Sequence, residues 1–123
     1  MLTSCATKTK FLASSVLPAA QGYAKVGRDI DHNYVIQIRI SDLAEIERSQ
    51  NSNQSYVVWM ETNKGINKNL GQLKTSSGLL SKQTKASLET ISPYQPIKIF
   101  ITSENHVYVK FPHKHIILST DRF

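Results

Sequence analysis

Residues 55–62, with the sequence Ser-Tyr-Val-Val-Trp-Met-Glu-Thr, decide the fold of this 123-residue chain. They contain the only tryptophan and form the longest unbroken run of aromatic and β-branched residues. Side chains of an extended strand alternate between two faces, so Tyr56, Val58 and Met60 share one face and Trp59 lies on the other. Because both faces are apolar, the stretch predicts a central β-strand buried on both sides, with Trp59 between two packed sheets.

Two further segments carry the alternation expected of half-buried strands. Every second residue of 34–41 is apolar on one face, and isoleucine occupies every second position of 97–102. A period of two directs these residues toward a core and the residues between them toward solvent. The predicted core comprises Trp59, Tyr56, Ile36, Ile38, Ile99 and Ile101.

The remaining apolar runs are short and are separated by turn signals at a spacing of about ten residues. Residues 81–91 fit a strand, with a helix as the alternative, and residues 42–48 fit either a helical turn or an irregular crossover. The pattern as a whole predicts an all-β protein, an immunoglobulin-like antiparallel β-sandwich of about seven or eight strands. The other expected strands are 11–17, 22–28, 66–73, 107–110 and 116–119, with a turn at 75–78.

The N-terminal sequence predicts where in the cell the protein is located. Residues 2–5, Leu-Thr-Ser-Cys, follow the pattern of a bacterial lipobox, in which small residues flank the cleaved bond and the cysteine thiol carries diacylglycerol. Cys5 is the only cysteine, so it has no disulfide partner within the chain. We therefore expect Cys5 to be lipidated, with a signal upstream of Met1, a lipobox remnant and polar tether over residues 1–10 and one domain over residues 11–123.

The net charge of +6 is unevenly distributed along the sequence. Residues 1–62 carry six basic and six acidic side chains, whereas residues 63–123 carry nine basic and three acidic ones. An excess of positive charge in one half is typical of an ordinary solvated basic surface, and it also fits an anionic partner such as lipopolysaccharide, a lipid headgroup, nucleic acid or a polyanionic glycan. The expected contact residues are Lys64, Lys68, Lys110 and Lys114.

Residues 54–119 resemble the C-terminal extracytoplasmic domain of anti-sigma-K-type proteins. The resemblance is carried by Tyr-Val-Val-Trp at 56–59, Asn-Leu-Gly-Gln-Leu at 69–73 and Ile-Phe-Ile-Thr-Ser-Glu at 99–104. The sigma-binding helical domain and the transmembrane helix of that family have no counterpart in this sequence, so the resemblance implies the β-sandwich and not sigma binding. The whole chain also resembles small lipoproteins of the Bacteroidetes type. Together with the lipobox, this implies a lipid-anchored position in the cell envelope. No acidic surface-export signal follows Cys5, which favours an anchor that faces the periplasm.

A histidine pair near the C-terminus suggests a second kind of function. His113 and His115 would share one face of an extended segment, within reach of one metal ion. Strand pairing would bring His106 close to them, and Glu104 is the only nearby carboxylate that could orient an imidazole ring. A metal-binding envelope protein that uses these three histidines is therefore the alternative function.

Enzymatic and nucleic-acid functions fit the sequence less well. The chain has no Gly-x-Ser-x-Gly frame and no glycine-rich phosphate loop. Tyr34 and Tyr56 lie in apolar strands, and the aromatic patterns of RNA-binding sheets are absent. We therefore expect no enzymatic activity, no cofactor and no nucleic-acid partner. The preferred function is a lipid-anchored binding or scaffold module, whose partner is an envelope protein or an anionic glycan or lipid.

Overall fold

The computed structural model describes residues 6–42, 55–76, 85–113 and 115–123, with the backbone alone for 75 and 76. This part of the chain contains no helix that is long and apolar enough to cross a membrane. Its nine strands are β1 (Thr7–Lys10), β2 (Gln21–Arg28), β3 (Tyr34–Ser41), β4 (Ser55–Thr62), β5 (Asn67–Gln72), β6 (Lys74–Ser76), β7 (Lys85–Ser92), β8 (Pro96–Glu104) and β9 (Ile116–Ser119).

The strands form two antiparallel sheets. The first sheet has the order β1-β2-β3-β7-β6, and the second has the order β5-β4-β8-β9. Strands β1 to β3 pair in sequence, whereas β7 returns to pair with β3 after the chain has formed β4 and β5 in the other sheet. The predicted all-β antiparallel sandwich is therefore confirmed.

The main core lies between the two sheets. On β3, Ile36, Ile38 and Ile40 are buried while Arg39 is exposed, as expected for a strand with one face in the core. Each fully buried aliphatic side chain contributes about 1.5–3 kcal/mol, so this layer is a large favourable term in folding. The facing side chains of the second sheet are Tyr56, Val58, Met60, Ile99, Ile101 and Leu118.

Strands β5 and β6 are parts of one segment that passes from the second sheet to the first. A bulge opposite Val58 and Trp59 leaves Leu70 as the extra residue, and Gly71 follows with a φ of 123°, which glycine adopts readily. Leu73, between the two strands, is buried, and its amide donates to the carbonyl oxygen of Tyr56 at 2.9 Å. The crossing segment therefore closes one side of the core.

Trp59 is fully buried, but it does not lie between the sheets. Its ring is on the outer face of β4, stacked with Phe100 at a centroid distance of 6.3 Å and an interplanar angle of 9°. Val107 and Val109 cover this second apolar cluster, and both belong to residues 105–113, which we term the covering loop. The predicted position of Trp59 is therefore wrong, because a loop and not a second sheet buries the outer face of β4.

Two of the predicted strands are also wrong. Residues 107–110 belong to the covering loop, and residues 11–17 contain a single bridge, between Phe11 and Thr120. The hydroxyl oxygen of Ser14 accepts from the amide of Leu17 at 2.9 Å, a local bond that competes with strand pairing. Residues 7–10, expected to be a tether, instead form β1 and pair with β2 at the edge of the first sheet.

The segment predicted as a turn at 75–78 begins within a strand, because residues 75 and 76 belong to β6. The predicted helical turn at 42–48 lies outside the described residues except for Asp42. The first part of the predicted strand at 81–91 also lies outside them, and its remainder forms β7, so the helical alternative does not hold there.

Gly22, in β2, is a position where any side chain would collide with the neighbouring strand. An added Cβ would overlap the carbonyl oxygen of Arg39 and lie 2.9 Å from the Cα of Ile40. Because both atoms belong to the β3 backbone, we expect Gly22→Ala to lower the free energy of unfolding by about 1–3 kcal/mol.

Gly27→Ala is the matched control in the same strand, because its nearest atom is the Cβ of Ala6 at 3.8 Å, an ordinary contact. We expect this substitution to change the free energy of unfolding by less than about 0.5 kcal/mol. Urea denaturation measures both variants, and equal stabilities would contradict the close approach of β2 and β3 at Gly22.

Candidate functional site

A chain of buried hydrogen bonds fixes the base of the covering loop. The Trp59 Nε1–H donates to Thr102 Oγ1 at 2.8 Å, and the Thr102 hydroxyl donates to Glu104 Oε2 at 2.6 Å. The same carboxylate oxygen accepts from the backbone amide of His113 at 2.7 Å. A hydroxyl can donate and accept at once, so each polar group in this series of hydrogen bonds has a partner despite its burial.

Asn69, on the edge strand β5, holds the middle of the covering loop. Its side-chain amide donates to the carbonyl oxygens of Val107 at 2.8 Å and Val109 at 2.9 Å. Its carbonyl oxygen accepts from the amide of Gly71 at 2.8 Å, which orients the side chain toward the loop. The loop is therefore attached at two separate points, and the two valines at the first of them pack on the Trp59 cluster.

The three histidines proposed as metal ligands are exposed. The rings of His113 and His115 lie 5.4 Å apart with an interplanar angle of 30°. His113 Nδ1 accepts from the amide of His115 at 3.2 Å, so one ring nitrogen of the pair is already engaged. Among the described residues, no group of three histidine, cysteine, aspartate or glutamate side chains could hold a metal ion. His106 is thus not joined to the pair as a third ligand.

The lysines proposed from the sequence are only partly brought together. Lys68 and Lys110 line one groove of about 530 Å³ between β5 and the covering loop. Lys64 is exposed in the turn between β4 and β5 and does not line this groove. Lys114 and Cys5 lie outside the described residues.

A larger basic surface lies on the outer face of the five-stranded sheet. Strand register places Lys10 beside Tyr23, Tyr23 beside Arg39, Arg39 beside Ser87, and Ser87 beside Lys74. This row crosses four strand intervals, which is a width of about 19 Å. We term this surface the basic face; its cations are Lys8, Lys10, Lys25, Arg39, Lys74 and Lys85, and Glu89 is its one carboxylate within the described residues.

One end of the basic face contains a groove of about 830 Å³. Lys8, Lys10, Arg39 and Lys85 are among the described residues that line it. Phe11, Ala20 and Ala86 also contribute, and these side chains are largely buried. The groove therefore combines a cationic rim with an apolar floor.

Sequence reasoning missed the basic face because it counted charge along the chain. The first half is neutral overall, but Asp29 and Asp31 lie in the turn between β2 and β3, and Asp42 follows the end of β3. The sequence did contain a signal for it, because polar or charged residues occupy every second position of these strands. They are Lys8 and Lys10 in β1, Tyr23 and Lys25 in β2, and Gln37 and Arg39 in β3.

Neither a protein-family model, nor a curated protein, nor a solved structure matches the chain.

Asn69 holds Val107 and Val109 through two hydrogen bonds, and these valines cover Trp59. We therefore predict that the Asn69 side chain keeps water away from Trp59. We expect Asn69→Ala to lower the free energy of unfolding by about 1–3 kcal/mol, because two loop carbonyl groups and the Gly71 amide lose their partner. Trp59 is the only tryptophan, so its fluorescence reports directly on the cover, and we expect its emission to shift to longer wavelength.

Asn67→Ala provides the control, because Asn67 lies on the same strand with an exposed side chain. We expect its emission and stability to match those of the unmodified protein, to within about 0.5 kcal/mol. Unchanged emission and stability in Asn69→Ala would show that Asn69 does not hold the covering loop.

Proposed function

We propose that the protein is a non-enzymatic, lipid-anchored binding module whose basic face lies on an anionic membrane surface. The observation that carries the proposal is the strand register, which gathers six cations and one carboxylate on that face. A basic side chain near an anionic bilayer contributes about 1 kcal/mol, so such a surface binds through many weak contacts.

The composition of the basic face favours anionic lipid headgroups as the partner over a single-stranded nucleic acid whose bases stack on aromatic rings. Among the described residues, Tyr23 is the only aromatic side chain of this face, and the Lys8 ammonium lies 4.3 Å from the centre of the tyrosine ring. Proteins that hold single-stranded nucleic acids combine basic grooves with several open aromatic rings. A dispersed set of cations around one covered ring instead suits mobile anionic headgroups, and the groove at its end has room for one headgroup with apolar atoms beneath it.

The lipid anchor follows from the lipobox pattern and gives the basic face an orientation. Thr7, the first residue of β1, is two residues after Cys5, so a lipid on Cys5 would hold the edge of the first sheet within about 7 Å of the bilayer. Two or three acyl chains anchor stably, whereas one gives reversible binding.

Mass spectrometry of the protein extracted from its native membrane tests the anchor. We expect a mass increase that corresponds to diacylglycerol or more on the peptide with Cys5, and its loss in Cys5→Ser. An unmodified Cys5 would overturn the anchor and leave the basic face to be tested separately.

We also propose that the sandwich is immunoglobulin-like. The order β2-β3-β7-β6 over β5-β4-β8-β9 supports this, because immunoglobulin sandwiches have the order A-B-E-D over C′-C-F-G. On this assignment, β1 is an additional strand at one edge. Trp59 would then occupy strand C, but on its outer face and not in the usual position between the sheets.

Vesicle binding tests the basic face. The protein with Cys5→Ser should bind vesicles of phosphatidylglycerol and phosphatidylcholine, should not bind phosphatidylcholine alone, and should dissociate as salt increases. Reversing three charges on the face should weaken binding by at least about 100-fold, at about 1 kcal/mol for each cation. The substitutions are Lys10→Glu, Arg39→Glu and Lys74→Glu, measured together by sedimentation.

The matched control reverses three charges elsewhere. Lys64→Glu, Lys68→Glu and Lys110→Glu change the net charge by the same amount, at the positions that the sequence had favoured. We expect this variant to retain vesicle binding. Loss of binding in the control, with retention in the basic-face variant, would move the membrane contact to the opposite side of the sandwich and overturn the proposal.

A further inference from the structure

Two adjacent rows of outward-facing residues line the groove at one end of the basic face. The strand register gives the first row as Lys10, Tyr23, Arg39 and Ser87, and the second as Gln21, Ser41 and Lys85. The groove volume of about 830 Å³ falls within the usual range for ligand sites. Because these residues lie on the outer face of the sheet, the groove opens toward the bilayer that the basic face is proposed to contact.

Three of the cations are grouped around Tyr23. Lys10 and Arg39 pair with Tyr23 from the two neighbouring strands, each at a Cα distance of about 5 Å. Lys8 starts from the next row, where it pairs with Lys25, but its ammonium lies 4.3 Å from the centre of the Tyr23 ring. Lys8 therefore lines the groove together with the other two cations.

No side chain of the described lining residues neutralises these cations. Lys85 contributes a fourth positive charge, and no carboxylate is among those residues. Glu89 is four positions from Lys85 along β7, about 13 Å away, and does not line the groove. Four cations around one groove favour a ligand group with more than one negative charge. A phosphomonoester carries between about −1.5 and −2 at neutral pH and offers three strong acceptor oxygens.

Apolar residues line the groove beside the cations. Ala13 and Pro18 are exposed in the segment between β1 and β2, and the buried Phe11 and Ala20 also contribute to the lining. A free phosphate ion gains nothing from such a surface. The glycerol and first acyl carbons of a lipid, in contrast, lose contact with water when they pack there. The lining therefore favours a phosphate group that is carried by a lipid.

We propose that this groove binds one membrane lipid through a phosphomonoester headgroup. The planar guanidinium of Arg39 donates paired hydrogen bonds to the phosphate oxygens, and the three lysines neutralise the remaining charge. The glycerol end of the lipid packs on Ala13 and Pro18. The inference rests on the proposed membrane contact and deepens it: the whole basic face attracts any anionic bilayer, whereas the groove selects one class of lipid within it.

Vesicles of matched zeta potential test the selection. The protein with Cys5→Ser is sedimented with phosphatidylcholine vesicles that contain either phosphatidic acid, which is a phosphomonoester, or phosphatidylglycerol, which is a phosphodiester. We expect at least about tenfold tighter binding to phosphatidic acid, as one additional charge-assisted hydrogen bond provides. Equal binding to the two kinds of vesicle would overturn the inference and leave the proposed membrane contact intact.

Two matched pairs of substitutions separate the groove from the rest of the face. Arg39→Gln with Lys85→Gln removes two cations that line the groove, whereas Lys25→Gln with Lys74→Gln removes two that do not. We expect both pairs to weaken binding to phosphatidylglycerol vesicles similarly, and only the first pair to remove the preference for phosphatidic acid. Arg39→Lys keeps the charge without the planar fork, so it should reduce the preference while retaining phosphatidylglycerol binding. A preference that survives the first pair, or that the second pair also removes, would overturn the inference.

Calorimetry with soluble probes distinguishes a lipid from a free ion. The probes are dihexanoylphosphatidic acid below its critical micelle concentration, dihexanoylphosphatidylglycerol and inorganic phosphate. We expect the first to bind at least about tenfold more tightly than inorganic phosphate, which burial of about two CH₂ groups provides, and more tightly than the phosphodiester. Equal binding of inorganic phosphate would overturn the lipid as the source of the phosphate, and no binding of dihexanoylphosphatidic acid would overturn the site. Binding of that probe by a protein that binds no vesicle would overturn the membrane contact alone.

Discussion

Burial of Trp59 on the outside of a sheet is the constraint on which the covering loop and the groove beside it depend. A large indole on an exposed sheet face needs an apolar cover and a partner for its N–H. Thr102 provides the partner at 2.8 Å, and Val107 and Val109 provide the cover. The acceptor side of this arrangement ends in the buried carboxylate of Glu104, which is tolerable because the Thr102 hydroxyl and the His113 amide both donate to it.

The same interactions determine the shape of the covering loop. Between Glu104 and β9 the chain could have formed a tight hairpin, but the valines are drawn onto Trp59 and the backbone carbonyls onto Asn69. Alternation along the loop then directs Tyr108 and Lys110 away from the cluster, toward solvent. The exposed groove is therefore a consequence of what the loop buries. Loops that are fixed on a rigid scaffold in this way are common binding surfaces.

The sequence predicted the elements whose pattern is local. Ile36, Ile38, Ile99 and Ile101 alternate in period two, and the two apolar faces of residues 55–62 indicated a strand buried on both sides. The sequence did not indicate what covers each face, because a sheet and a loop bury an indole equally well. Register is non-local too: Lys10 and Lys74 share one row of the basic face only because three strands lie between them. A charge count along the chain cannot detect such a row.

The two sheets have different outer faces because their edge strands and connecting loops differ. The first sheet begins with a polar edge strand of alternating threonine and lysine, and charged edges of this kind also resist pairing with other chains. Its outer face carries no cover within the described residues, so its cations stay in solvent and can act together at long range. On the second sheet, the covering loop packs over Trp59 on the outer face, and a groove of about 530 Å³ lies between that loop and β5. The basic face and this groove therefore lie on opposite sides of one sandwich, because each sheet presents its own outer face.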